Sequence, residues 1–468
     1  MAASEAAPYA KTGGLADVLG ALPAALAALG HDVAVVLPRY QFIPLRETRR
    51  VYDDLPVSLG STVYHTALHQ IDGKVSYFFV DCPPLYDRPG LYGENGLDYP
   101  DNHIRFAVFA RAALEVVRRV FRVDVLHCHD WQAGLVPVYL KTVMSTDPTF
   151  LGVRTLFTIH NLGYQGLFGR DVLPEIGLTD DLFIPGRLEF WGNISFIKGG
   201  LVYADALNTV SPTYAREIQT PEYGFGLDGV LRARSNVLSG ILNGVDYSEW
   251  DPQTDPNLPA RYSSSDLSGK SICKRELVRE FGLPEDTFER PLIGIISRLT
   301  SQKGADLIEA SIGNIIGLGF SLVVLGAGEP EYEEMFTRMA AAHPERVALR
   351  LGYDNGLAHR IEAGSDLFLM PSRYEPCGLN QIYSLRYGTI PIVRATGGLD
   401  DTIEEGTGFK FWDYSAEALT DALRAARDAF ADQDRWSAMM RRAMAEDFSW
   451  QVSARQYSDL YGLLRGRP

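Results

Sequence analysis

The chain has 468 residues, 46% of them hydrophobic and 22% charged, enough for two or three domains that each bury a core, which excludes a peptide module or a disulfide knot. Its 44 basic and 59 acidic residues give a net charge of −15, a field that repels polyphosphate backbones and argues against nucleic acid as a partner. No stretch has the uncharged apolar length that spans a bilayer, and the four cysteines are scattered without a C-x-x-C pair, so no membrane span, disulfide frame or zinc site is indicated.

The opening MAASEAAPYAKTGG lacks the basic start, apolar run and small-residue cleavage site of a secretory signal, and a cytoplasmic location is expected. KTGGLADVLGALPAALAALG sets Lys11, Gly13 and Gly14 ahead of a predicted helix with Leu19, Leu22, Leu26 and Leu29 on one face. The glycines let backbone N–H groups approach an anion and Lys11 adds a charge, although a lone Gly-Gly pair also suits an ordinary turn. DVAVVLP, VDVLHCHD, TLFTIHN, ALNTVSP and VLSGILNG then read as buried parallel strands. HCHDWQAG places His127 and His129 on the same side of a strand, but no further ligands are spaced for a metal. That leaves structural histidines, with Asp130 as a hydrogen-bond partner for a polar ligand such as a sugar hydroxyl. His160, in TIHNLGYQG, is a single histidine at a strand end.

Residues 248–271 are rich in Pro, Ser and Asp without a sustained period, and are expected to be a connection or surface excursion. The strand rhythm returns in PLIGIISR, FSLVVLGAG, DLFLMPSRYE and TIPIVRATGG, a second α/β unit. In SRLTSQKGADLIEA, Arg298 and Lys303 sit where a strand gives way to a helix, an arrangement suited to a diphosphate, and ATGGLDD supplies a second glycine loop. The Gly-Lys-Ser at Gly269 and the GAGEPE at Gly326 are incomplete as Walker or dinucleotide motifs. In PSRYEPCGLNQIYSLRYG, Glu375 follows a buried strand and Gly378 is expected to begin a helix whose N–H groups hold a carboxylate or sugar hydroxyls. One carboxylate beside a diphosphate site, rather than two facing carboxylates, favours transfer from an activated sugar over hydrolysis. Ligands of open α/β sheets bind beyond the carboxyl ends of the strands, so the strand ends of both units are expected to line one cleft.

KTGGLADV, HCHDWQAG, TIHNLGYQG, NTVSPTYAREIQTPEYGFGLDGVL, ILNGVD, SRLTSQKG, PSRYEPCGLNQIYSLRYG and TGGLDDT, in this order, resemble the motifs of bacterial glycogen synthases and plant starch synthases, over nearly the whole chain. The resemblance implies an α/β fold of the GT-B type: two facing Rossmann-like domains with an interdomain active-site cleft. The first would span 1–241 with a crossover helix at about 452–468, and the second, nucleotide-sugar-binding domain 242–451. It implies retaining transfer of glucose from ADP-glucose to the non-reducing end of an α-1,4-glucan, glycogen or a malto-oligosaccharide, with release of ADP and with no metal or other cofactor. Arg298 and Lys303 match the family's phosphate-binding pair, Glu375 the carboxylate that orients the glucose, and His160 a position beside the anomeric carbon; these are the implied catalytic residues. Donor binding is implied for Lys11, Gly13, Gly14, Asp17, Asp130 and Asn243, for Tyr353 against adenine, and for Cys377, Gly378, Leu379, Thr396, Gly397 and Gly398.

Two alternatives stay open: the same reaction with UDP-glucose, and a catalytically inactive glucan-binding protein on this fold. There are also two departures from the family pattern. Family chains usually carry a strand of about half a dozen apolar residues before the A-S-E-A-A-P element. Here that place holds Met1, Ala2 and Ala3, so either the start is misassigned or truncated, or the first sheet lacks an inner strand and exposes an unpaired edge. Position 383 is Tyr where many retaining transferases of this fold have a second Glu, a substitution characteristic of glycogen synthases.

Overall fold

In a computed structural model, which describes residues 1–94 and 96–466, the chain divides into two units. Asn95 and the last two positions of the expected crossover helix, 467–468, lie outside the described residues. One unit comprises Met1–Val210, Ala215–Gly244 and Trp450–Pro468, the other Ser211–Tyr214 and Val245–Ser449. Leu242, Asn243 and Gly244, which the sequence reading assigns to the second domain, therefore fall in the first, as do Trp450 and Gln451. Packing explains it: Ser453 Oγ donates to the Leu242 carbonyl at 2.6 Å, and a Cβ on Gly244 would lie 2.6 Å from the Trp450 backbone.

The first unit begins β1 (Ala34–Pro38), β2 (Arg49–Leu59), β3 (Thr62–Ile71) and β4 (Ser76–Asp81), in the order β1-β4-β3-β2. It continues with β5 (Val125–His129), β6 (Arg154–Ile159), a small sheet of β7 (Leu167–Gly169), β8 (Glu189–Phe190) and β9 (Asn193–Ser195), and then β10 (Ala206–Thr209) and β11 (Leu238–Gly240). The order of the main group is β11-β10-β6-β5, all parallel, as the apolar runs predict. The antiparallel pairs β2–β3 and β3–β4 were not anticipated.

Residues 1–3 join the two groups. Ala2 N donates to the His127 carbonyl at 2.8 Å and His129 N to the Ala2 carbonyl at 3.1 Å; on the other side Ala3 N donates to Val36 and Val36 N to Met1, at 3.1 and 2.8 Å. The slot expected to lack a strand is thus occupied at this level, and β1 and β5 are paired there rather than left as open edges. Because β1 lies on one side of residues 1–3 and β5 on the other, this is a topological switch point, where ligands of such sheets bind.

Helix α1 (Gly14–Ala28) follows directly. Its Leu15, Val18, Leu19, Leu22 and Leu26 recur at helical spacing and are buried with Val35, Leu37 and Leu156 of the sheet. The C-terminal helix, Trp450–Arg465, adds Trp450, Ala454, Tyr457 and Leu464 to the same core. Each fully buried Leu contributes roughly 2 kcal/mol.

The second unit holds β12 (Leu292–Leu299), β13 (Ser321–Gly328), β14 (Val347–Leu351), β15 (Leu367–Met370), β16 (Ile390–Arg394) and β17 (Phe409–Phe411). They form one parallel sheet ordered β14-β13-β12-β15-β16-β17, the order of the doubly wound nucleotide-binding fold, with its switch point between β12 and β15. Residues 248–271 are a largely exposed connection, as their composition indicates, but one pinned to the second unit by a few buried side chains. Trp250 stacks between His359 and Tyr383, ring centroids 3.7 and 4.0 Å away, and the buried Asp255 accepts from Tyr387 Oη at 2.5 Å. These anchors hold the segment down where it runs into α2 (Ser268–Glu280).

Candidate active site

In the second unit the switch point carries the charged residues that the sequence singles out. Arg298 is the penultimate residue of β12, and a single turn, Ser301–Lys303, leads into α3 (Ala305–Gly317). Gly304, at φ 80°, lets that turn press on the loop after β15: a Cβ there would lie 2.2 Å from the Pro371 carbonyl oxygen. This contact brings Lys303 Nζ to 2.5 Å from Glu375 Oε2, to which Ser372 Oγ also donates at 3.1 Å. Glu375 is buried, and Arg298 is exposed on the same rim.

The two glycine positions of the TGG loop hold Glu375 from behind. A Cβ on Gly397, whose φ is 45°, would stand 1.9 Å from the Glu375 carbonyl oxygen, and one on Gly398 would stand 2.1 Å from that of Cys377. Gly398 N donates to the Glu375 carbonyl at 3.1 Å. Thr396 is buried and caps α5 (Gly397–Thr402) in extended conformation. α4 (Asn380–Arg386) starts two positions later than expected from Gly378. Gly378 instead makes the turn before it at φ 71°, and Gln381 Nε2 ties the carbonyls of Cys377 and Gly378 at 3.1 Å each. Arg298, Lys303, Glu375, Cys377, Gly378, Leu379, Thr396, Gly397 and Gly398 thus belong to one neighbourhood. Tyr353, 79% exposed, stands apart at the carboxyl end of the edge strand β14.

The first unit assembles two further groups. Lys11 Nζ meets Asp17 Oδ1 at 2.6 Å, at the start of α1, and space is open where side chains on Gly13 and Gly14 would be. Asp130, directly after β5, takes φ 55° and ψ −176°, and its carboxylate accepts the His160 N–H at 2.7 Å. Removal from water pushes the Asp130 carboxyl up to about 7, against the backbone N–H groups of His160 and Asn161, which favour the charged form. Removal from water also brings His160 down to about 3, so its imidazole is neutral.

His160 Nε2 lies 3.0 Å from His129 Nδ1, and His129 Nε2 is buried with no partner among the described residues. A buried N–H without a partner costs more than a bare lone pair, which assigns the shared proton to His129 Nδ1 and leaves His160 protonated on Nδ1, as a donor. The His127 ring sits 4.0 Å from that of His129 and bridges Thr158 Oγ1 and Tyr461 Oη, at 2.6 and 2.8 Å. Asn243 is buried at the end of the β11 segment, its Oδ1 without a partner among the described residues.

Comparison with known proteins gives this geometry its context. Residues 1–233 match the starch synthase catalytic domain family and residues 280–441 the glycosyl transferases group 1 family. The chain is 51% identical to the glycogen synthase of Koribacter versatilis, over 98% of this chain and 96% of the relative, and 53% identical to that of Anaeromyxobacter sp. (strain Fw109-5), over 98% of both. The chain belongs to the glycogen synthase family. Among solved structures, the catalytic domain of Arabidopsis thaliana starch synthase IV, bound to ADP and acarbose, matches with a TM-score of 0.90 and 35% identity over 100% of this chain and 99% of that one. Sucrose-phosphate synthase from Thermosynechococcus elongatus, 19% identical with a TM-score of 0.60 over 98% of this chain and 95% of that one, shares the GT-B fold.

Several residues that shape this glycogen synthase family site were missed in the sequence. Glu5 is buried, and its carboxylate accepts from Thr12 N, Thr12 Oγ1, Gly13 N and Tyr92 Oη, at 2.5, 2.6, 3.3 and 2.5 Å, which fixes the lysine loop. The only signal was an acidic residue shortly before a Gly-Gly pair. Gln381 read as an ordinary polar residue of a helix, Ser372 stood out only as one of the polar strand ends, and the pairing of His129 with His160 follows only from the register of β5 on β6. Among the described residues no group of three or more His, Cys, Asp or Glu is placed to hold a metal ion.

Proposed function

We propose that the chain transfers glucose from ADP-glucose to the non-reducing 4-hydroxyl of an α-1,4-glucan, with retention, and releases ADP. The observation that carries this is the Lys303–Glu375 pair at the switch point of a nucleotide-binding sheet, with Arg298 on the same rim. The bond from the glucose anomeric carbon to the diphosphate oxygen breaks, with its electron pair leaving on ADP. The acceptor oxygen bonds that carbon, and the hydroxyl proton passes to the departing phosphate. Arg298 and Lys303 stabilise charge that grows on ADP as the bond breaks, so they act most strongly in the transition state. Glu375, oriented by Lys303 and Ser372, holds the glucose and sets negative charge against the positive charge developing at its anomeric carbon.

In the first unit, Lys11 and the start of α1 present positive charge to an anionic group, and neutral His160 donates to a sugar oxygen. Asp17 and Asn243 serve donor binding, as does Tyr353 by covering the adenine. Charge neutralisation by the two cations leaves no step that calls for a metal or other cofactor. No helix among the described residues is long and apolar enough to cross a membrane. The acceptors of the proposed reaction are glycogen or malto-oligosaccharides, and its proposed place is the cytoplasm.

The test is nucleotide release from ADP-glucose and from UDP-glucose, each with glycogen and each with and without EDTA. Glycogen-dependent release from ADP-glucose, undiminished by EDTA, is expected. Preference for UDP-glucose would correct the donor, and loss of activity in EDTA would overturn the metal-free reading.

A further inference from the structure

Beside the His160 loop, two aromatic residues occupy backbone positions that suit neither of them. β8 and β9 are joined by the two-residue turn Trp191–Gly192, with Phe190 paired to Asn193 and φ values of 52° and 81° at the two turn positions. Positive φ at both centres is the hairpin geometry that Asn-Gly fits best. A tryptophan there is strained, yet its side chain is not consumed by the core: Trp191 is 82% exposed. Phe225 repeats the pattern at φ 48°, is 38% exposed, and precedes Gly226 at φ 81°. Strain of this kind persists where the side chain serves a purpose that the fold alone does not require.

The two positions adjoin one another and the candidate active site. A Cβ on Gly226 would lie 3.0 Å from Phe190 Cζ and 3.3 Å from Trp191 Nε1. Gln165 Nε2 donates to the Phe225 carbonyl at 3.0 Å, and Gln165 belongs to the loop that begins with His160 and contains the half-exposed Tyr164. The nearby charges are turned inward: Lys198 Nζ donates to the carbonyls of Pro185 and Glu189 at 2.6 and 2.5 Å, and Glu189 Oε1 accepts from Gly192 N at 2.9 Å. The patch therefore offers broad aromatic faces with an indole N–H at one edge, and the neighbouring Asp228 is already paired with Arg232 at 2.6 Å. That suits a neutral ligand with apolar C–H faces and hydroxyls around its rim.

We propose that Trp191 and Phe225 form an acceptor platform, on which the α-glucan stacks behind its reacting end. This rests on the glucan synthase reading above. The experiment replaces Trp191→Asn and, separately, Phe225→Asn in the full chain, since Asn tolerates both backbone positions. Maltoheptaose and glycogen serve as acceptors, with isothermal titration of maltoheptaose as a readout that needs no turnover.

The platform predicts an unchanged or higher Tm for Trp191→Asn, together with a rise of about fivefold in KM for the acceptor and in the maltoheptaose Kd, and an unmoved KM for ADP-glucose. Phe225→Asn should shift the same two constants in the same direction. Unchanged acceptor constants in both folded variants would overturn the platform. So would a wild-type dimer that Trp191→Asn dissolves without weakening maltoheptaose binding, which would make the patch a contact between copies. Should the wild type release no nucleotide, the synthase reading fails while the titration still decides the platform.

Discussion

Asp130 shows how much one side chain contributes to the site. Its backbone conformation costs about 1–3 kcal/mol in a non-glycine residue, and its carboxylate fixes the start of the His160 loop. With its carboxyl at about 7 in the fold, Asp130 keeps a proton that the unfolded chain releases near pH 4. Between those values the folded state binds more protons, so this residue lowers stability as pH rises through the window and adds no further slope above it. Asp130→Asn keeps an oxygen to accept the His160 N–H but cannot titrate. Relative to wild type, its urea midpoint should therefore be higher at about pH 7.5 than at about pH 4.5. An equal difference at both pH values would show that Asp130 titrates alike in the folded and unfolded chain. Residues such as Lys11, His160, Arg298 and Glu375 were legible because polar side chains at the ends of apolar runs stand out. Glu5 was not, because its function depends on the chain turning back so that the next loop closes on its carboxylate.

At the scale of elements, the site is held by backbone lying on backbone. The TGG loop sits so close to the Glu375 loop that Gly398→Ala would place a methyl 2.1 Å from the Cys377 carbonyl oxygen, where no flexible side chain can yield. The expected outcome is a displaced Glu375, kcat lowered by about tenfold or more, and a Tm a few degrees lower, read by steady-state kinetics and thermal melting. Wild-type kcat in that variant would show that the contact does not position Glu375.

The parallel strands around the site were readable because burial on both faces leaves continuous apolar runs, as in DVAVVLP and FSLVVLGAG. The β2–β4 meander was not. β2 carries Arg49, Arg50, Asp53 and Asp54, and its register shifts at Arg50/Tyr52 and Tyr52/Leu55, which breaks the two-residue period that would announce a half-buried strand. The connection at residues 248–271 was legible as such, but not its anchors: Asp255, Tyr262 and Lys270 are polar groups buried with hydrogen-bond partners in the fold, which composition alone reports as solvent-facing.

Across the whole molecule, two Rossmann-like units of different strand order each place charged candidate residues near their own switch point, Lys11 and Asp130 in one and Arg298, Lys303 and Glu375 in the other, while Tyr353 and Asn243 follow outer strands. The C-terminal helix returns to the first unit, where Tyr457 Oη accepts from Asn208 Nδ2 at 2.9 Å and Tyr461 Oη lies 2.8 Å from His127 Nδ1, so the last segment of the chain supports the histidines behind His160. The family and the residue types of the site were legible from motif order; the atoms that orient them emerged only with the fold.

The central claim, that Glu375 at the second switch point serves glucosyl transfer, is tested most directly by comparing wild type with Glu375→Ala in glycogen elongation from ADP-glucose, with ADP affinity measured by titration on the same samples. Turnover should fall by about a hundredfold or more, while the Kd for ADP changes by only a fewfold. Near-normal elongation by a folded Glu375→Ala protein would contradict the account.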